Sequence, residues 1–198
     1  VLAAALAACG GDSAASDDPL VGYWIGGGQG GQMTMLQIHK DGDTYEVLSN
    51  PDQPMGEVEQ EGSDLVIDTH VVTVRIAPGA QDKLELEFTG DVFKEPQTLE
   101  LSRVDEAQYK DGAVAYGLTV LRRGLAMWKA GGGKKYPPAD EVTPDGMLAK
   151  MIPWPVNLFT DGPMVQEQST GNFTYERLDG GKKYSLKAYL ADGSTVGE

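Results

Sequence analysis

The chain has 198 residues, 40% of them hydrophobic, enough to build a core in one large domain or in two small ones. Sixteen Lys and Arg stand against 30 Asp and Glu, a net charge of −14, so nucleic acid is excluded as a partner because a polyanion would be repelled. No apolar run exceeds about nine residues, short of the roughly 20 that span a bilayer as a helix. The single cysteine excludes an internal disulfide and a cysteine-rich zinc site.

The first predicted element is residues 1–9, VLAAALAAC. Val1 to Ala8 are too short for a span and have no polar positions for an amphipathic helix, but they fit the apolar region of a secretory signal, with small residues before the cut. The chain opens on Val1 with neither an initiator methionine nor a basic leader, so it is expected to begin partway into that signal. Leu6, Ala7, Ala8 and Cys9 resemble the lipobox of bacterial lipoproteins, whose cysteine receives a diacylglyceryl group and becomes the mature N-terminus. An ordinary cleaved signal, or a fragment of buried helix, is the competing reading. An odd cysteine in an exported protein favours the lipoprotein. The resemblance implies lipid attachment at Cys9 and anchoring to the cell envelope by two or three acyl chains, each buried CH₂ contributing about 0.8 kcal/mol. Gly10, without the acidic character linked to inner-membrane retention, implies the outer membrane or cell surface. Residues 10–19, GGDSAASDDP, read as a flexible tether.

From Leu20 the hydrophobic period is two. LELEF (84–88) sets Leu84, Leu86 and Phe88 against Glu85 and Glu87, VVTVRI (71–76) sets Val72, Val74 and Ile76 against Thr73 and Arg75, and TLELS (98–102) repeats the scheme. MTMLQI, TYEVL and DLVID alternate less strictly but are rich in strand formers, and Asp41-Gly42, Gly62-Ser63, Pro78-Gly79 and Gly90-Asp91 mark turns. About eight short strands predict an all-β antiparallel barrel over residues 20–106. Gly26, Gly28 and Gly31 have GxGxxG spacing, but a strand follows them, not a helix, so they predict a hairpin loop and no dinucleotide site.

Gly22-Tyr23-Trp24 opens the first strand and Arg103 closes the last. This resembles the lipocalins and wider calycins, where a GxW motif sets its tryptophan at the closed end of the barrel and an arginine from the final strand lies across the indole. The resemblance implies structural roles for Gly22, Trp24 and Arg103. Such a barrel either fills with its own side chains or holds one small apolar ligand; strands shorter than in full lipocalins favour the filled interior.

Residues 107–198 predict a second, small α+β domain. Val114, Leu118, Leu121, Leu125 and Trp128 form the apolar stripe of a helix capped by Asp111 and stopped at Gly131 to Gly133. Residues 110–135 carry six basic side chains and one acidic, so the helix offers a basic face for docking on its own acidic β-domain or on anionic headgroups. A proline-rich loop follows, then a hairpin turning at Asp179-Gly180-Gly181. With Tyr136-Pro137, the segment Trp154 to Met164 (WPVNLFTDGPM) and Asp192-Gly193, this order resembles the globular head of type II secretion pseudopilins and type IV pilins, without the long apolar N-terminal polymerisation helix. Major pseudopilins bind calcium near the C-terminal loop. Asp192 is the one candidate oxygen ligand that remains here, against the six or more a hard cation takes, so no metal or other cofactor is expected.

His39 and His70 are the only histidines; neither neighbours a GxSxG elbow, and the strand carboxylates Glu85, Glu87 and Glu100 read as a solvated face. The expectation is a non-enzymatic, membrane-anchored envelope lipoprotein that binds an envelope protein, pilus- or secretion-associated. The alternative is a lipocalin-like carrier of a small apolar ligand.

Overall fold

A computed structural model describes residues 18–27 and 33–197. Nine strands form one antiparallel sheet: β1 (Gly22–Gly27), β2 (Met33–Asp41), β3 (Thr44–Ser49), β4 (Gln53–Pro54), β5 (Val58–Glu61), β6 (Asp64–Asp68), β7 (Thr73–Pro78), β8 (Lys83–Thr89) and β9 (Gln97–Val104). Their order is β4-β3-β2-β1-β9-β8-β7-β6-β5, so the first and last strands pair at the middle, with Trp24 opposite Arg103. The sheet curls into a half-barrel. β3 comes against β5 without a ladder joining them among the described residues, so the antiparallel barrel expected from the strand count is present as a barrel-like, incompletely closed sheet. β4 accounts for the open seam. It is two residues long and one is Pro54, which has no N–H to donate.

Alternation along the strands fills the concave face. Trp24, Leu36, Ile38, Val47, Leu65, Ile67, Val74, Ile76, Leu84, Leu86 and Leu101 make one buried cluster, joined by Leu20 just ahead of β1. Several neighbours of these residues on β1 and β2 are apolar too. Tyr23, Ile25, Met33 and Met35 lie on the opposite face and pack with Tyr109 and Ala113 of the one long helix. Both faces of these two strands are therefore covered, which is why MTMLQI does not alternate cleanly.

That helix, α1, runs from Glu106 to Ala130, 25 residues or about 37 Å. It starts six residues earlier than the cap at Asp111 would place it. Asp105 is its cap, accepting from the Gln108 amide while the Gln108 side chain accepts from the Asp105 amide, a reciprocal capping box; Asp111 instead accepts from the Ala191 amide at 2.9 Å. One residue, Asp105, separates β9 from α1. Glycines let the helix approach its neighbours closely: a Cβ on Gly112 would sit 2.7 Å from Ile25, and one on Gly117 would sit 2.5 Å from Met164.

The second half of α1 packs on a separate core with Leu148, Ile152, Met164, Phe173, Leu186 and Ala188. After α1 come two single-turn 3-10 helices, Ala139–Glu141 and Leu148–Lys150, and the short pair β10 (Val156–Asn157) and β11 (Gly162–Pro163). The hairpin of β12 (Phe173–Leu178) and β13 (Lys183–Tyr189), turning at Asp179–Gly181, is joined by β14 (Thr195–Gly197) into a three-stranded antiparallel sheet. Asn157 and Asn172, both buried, tie the proline segment to this sheet. Asn157 donates to Asn172 at 3.2 Å and to the Thr170 carbonyl at 3.1 Å, and Asn172 accepts from the Val165 amide at 2.9 Å. No helix among the described residues is long and apolar enough to cross a membrane.

Candidate functional site

At one end of the half-barrel the Arg103 guanidinium lies 4.3 Å from the centre of the Trp24 ring, a cation–π contact of about 1–2 kcal/mol in a partly desolvated setting. Trp24 is fully buried and its Nε1 donates to the Leu20 carbonyl at 3.0 Å. Arg103 Nη2 donates to the Pro19 carbonyl at 2.7 Å and Nη1 to the Val21 carbonyl, while Nε stands 3.3 Å from Asp82. Gly22 has φ +144° and leaves no room for a Cβ, which would sit 2.7 Å from Arg103 Nη1. The hydrogen bonds of this arrangement go to backbone carbonyls and its ion pair to Asp82, so its chemistry is that of a clamp. Beside it, Asp18 accepts from Lys40 at 2.8 Å, Tyr45 at 2.6 Å and the Leu20 amide at 3.1 Å. Burial pushes the Asp18 carboxyl up, but these three donors outweigh it and hold the group below its ordinary value.

The other residues singled out in the sequence do not converge. His39 is exposed on β2, and His70 is exposed in the β6–β7 turn with φ +67°. Asp192 accepts from the Ser194 amide at 2.8 Å within its own turn, and the Ser194 side chain, then that amide, lower its pKa. Among the described residues no three His, Cys, Asp or Glu gather as a metal set. Cys9 and residues 28–32 of the glycine-rich loop lie outside the described residues.

The basic cluster is dispersed. Lys110 pairs with Glu106 at 2.8 Å, and Lys129 donates to the Lys134 carbonyl at 3.0 Å while lying over the Tyr136 ring. The helix does not meet the sheet through charge, as its basic face predicts; the contact is apolar. The fully buried Tyr109 packs 5.0 Å from the Tyr23 ring and donates to the Pro51 carbonyl at 2.9 Å, and burial raises its pKa.

Where α1 leaves the sheet, two clefts open on either side of it. The first, about 320 Å³, lies between the β3–β4 turn (Asn50 to Gln53), Met127 of the helix and the proline segment at Trp154. Trp154 is fixed there by donating from Nε1 to the Met164 carbonyl at 2.8 Å. The second, about 420 Å³, lies between Met33 and Thr34 of β2, the helix at Ala115, Thr119 and Arg122, and the end of β14. Asn50, Tyr116, Val120 and Arg123 line both and form the ridge between them. Sequence reasoning counted Arg122 and Arg123 as charge but did not place them beside a cavity. Asn50, Tyr116 and Val120 carry no motif, and only the crossing of helix and β3–β4 turn brings them together. No family model, no curated protein and no solved structure matches the chain.

Proposed function

We propose that the chain is a lipid-anchored lipoprotein of the bacterial envelope whose folded part is a non-catalytic interaction module serving a pilus- or secretion-related assembly. The lipobox-like Leu6-Ala7-Ala8-Cys9 supports the anchor, and the likeness of residues 112–196 to a pseudopilin head supports the assembly. The observation that carries the interaction role is where open surface lies: side chains pack the concave face of the sheet, whereas the clefts flank α1 on its outside. A module of this build meets its partner along the helix.

The test is photo-crosslinking in a bacterial host that processes lipoproteins, with a crosslinking residue at Val120 or, for comparison, at the outer-face position Val66. A single adduct from position 120, absent from position 66, together with a diacylated Cys9 at the mature N-terminus by intact-mass spectrometry, is the expected result. A cytosolic chain with Ala8 still joined to an unmodified Cys9 overturns the reading. The lipocalin-like carrier is the second reading; an apolar ligand retained by the purified chain, with no adduct from position 120, would favour it.

A further inference from the structure

The second cleft has a composition at odds with the chain around it. In a protein of net charge −14, two consecutive arginines line it, and among the described residues no carboxylate does. Arg123 has no ion-pair partner among the described residues and stands on the ridge shared with the first cleft. Thr34, Thr119, Tyr116 and Asn50 add neutral hydrogen-bonding groups, and Met33, Leu118 and Val196 add apolar wall. Guanidinium groups bind carboxylate and phosphate through paired N–H donors, so in an acidic protein this carboxylate-free lining favours an anion. A volume near 420 Å³ lies within the range of small-ligand sites, more than a bare inorganic anion fills.

We infer that this cleft binds an anionic amphiphile, its carboxylate or phosphate head against Arg123 and its apolar arm along Met33, Leu118 and Val196. The site is outside the sheet, so it is distinct from a ligand carried in the barrel interior, and it does not depend on the anchor at Cys9.

Isothermal titration of the full chain, made without acylation as Cys9→Ser, tests it with dodecanoate and dodecyl phosphate below their micelle concentrations. Dodecanol, dodecyltrimethylammonium and inorganic phosphate serve as controls. One equivalent of either anionic amphiphile is expected to bind, at least tenfold tighter than each control. Arg123→Gln weakens it at least tenfold. Ala115→Phe, which fills this cleft alone, abolishes it, and Met127→Ala, in the other cleft, leaves it within twofold. Phosphatidylglycerol vesicles separate the sources: monomer binding without vesicle binding assigns a free amphiphile, and Arg123-dependent binding to both assigns a lipid headgroup. Equal binding of dodecanol, equal binding of inorganic phosphate, or indifference to both Arg123→Gln and Ala115→Phe overturns the inference.

Discussion

Arg103 covers Trp24 from the strand next to it and at the same time holds the chain before β1 through the carbonyls of Pro19 and Val21. One side chain therefore closes the end of the half-barrel and fixes the segment that enters it. Replacing it by Lys keeps the charge but loses the planar fork that makes both carbonyl bonds. Arg103→Lys is expected to cost about 1–2 kcal/mol and Arg103→Ala about 3 kcal/mol, read from urea midpoints followed by tryptophan fluorescence. Equal stability of the lysine variant would count against the fork.

Asp18 gives the fold an acid-sensitive joint. Its folded pKa lies below the ordinary value of 3.8, so its stabilisation is present above that value and is lost as pH falls through the folded pKa. Asp18→Asn is expected to be less stable than the parent at pH 7, with the gap closing in acid below about pH 4. A gap that widens in acid would show that the carboxylate is not held by Lys40 and Tyr45.

Tyr109 couples the helix to the sheet. Tyr109→Phe keeps the ring against Tyr23 but leaves the Pro51 carbonyl without its donor, at a cost of about 1–2 kcal/mol. Tyr109→Ala empties the contact and is expected to cost about 3–5 kcal/mol. Thermal denaturation of the two variants beside the parent checks the order.

Gly171 and Gly132 both have positive φ, +79° and +98°, but different surroundings. A Cβ on Gly171 collides with the amide of Asn157, which holds Thr170 and Asn172; a Cβ on Gly132 meets open space. Gly171→Ala is expected to cost about 3 kcal/mol and Gly132→Ala about 1 kcal/mol, the second from backbone strain alone. Denaturant unfolding separates them, and equal costs would mean that Asn157 yields freely.

Much of this fold is legible residue by residue. Leu84, Leu86, Val74 and Ile76 alternate with charged neighbours because one face of their strands meets water, and the sequence shows that directly. Met33 and Met35 hide the same signal, because α1 buries the face that alternation would have left polar. The start of α1 was readable too, in the Asp105–Gln108 box and in Tyr109, Ala113 and Tyr116 at helical spacing. The stripe from Val114 onward is the part that faces the second core; the first two turns face a different one, so a single continuous stripe does not describe the helix. Trp24 and Arg103, far apart in the chain, could be paired from the motif that names them. The clefts could not, since their ridge depends on where the β3–β4 turn crosses α1.

Leu20 is already part of the core, two residues after the first described residue, and its neighbour Pro19 is gripped by Arg103. A tug on the upstream chain is thus delivered within two residues to the plug of the half-barrel. Such a junction behaves as a knot tied close to the load: tension from upstream meets the bonds of Asp18 to Lys40 and Tyr45 and then the grip of Arg103 on Pro19 before it reaches a strand.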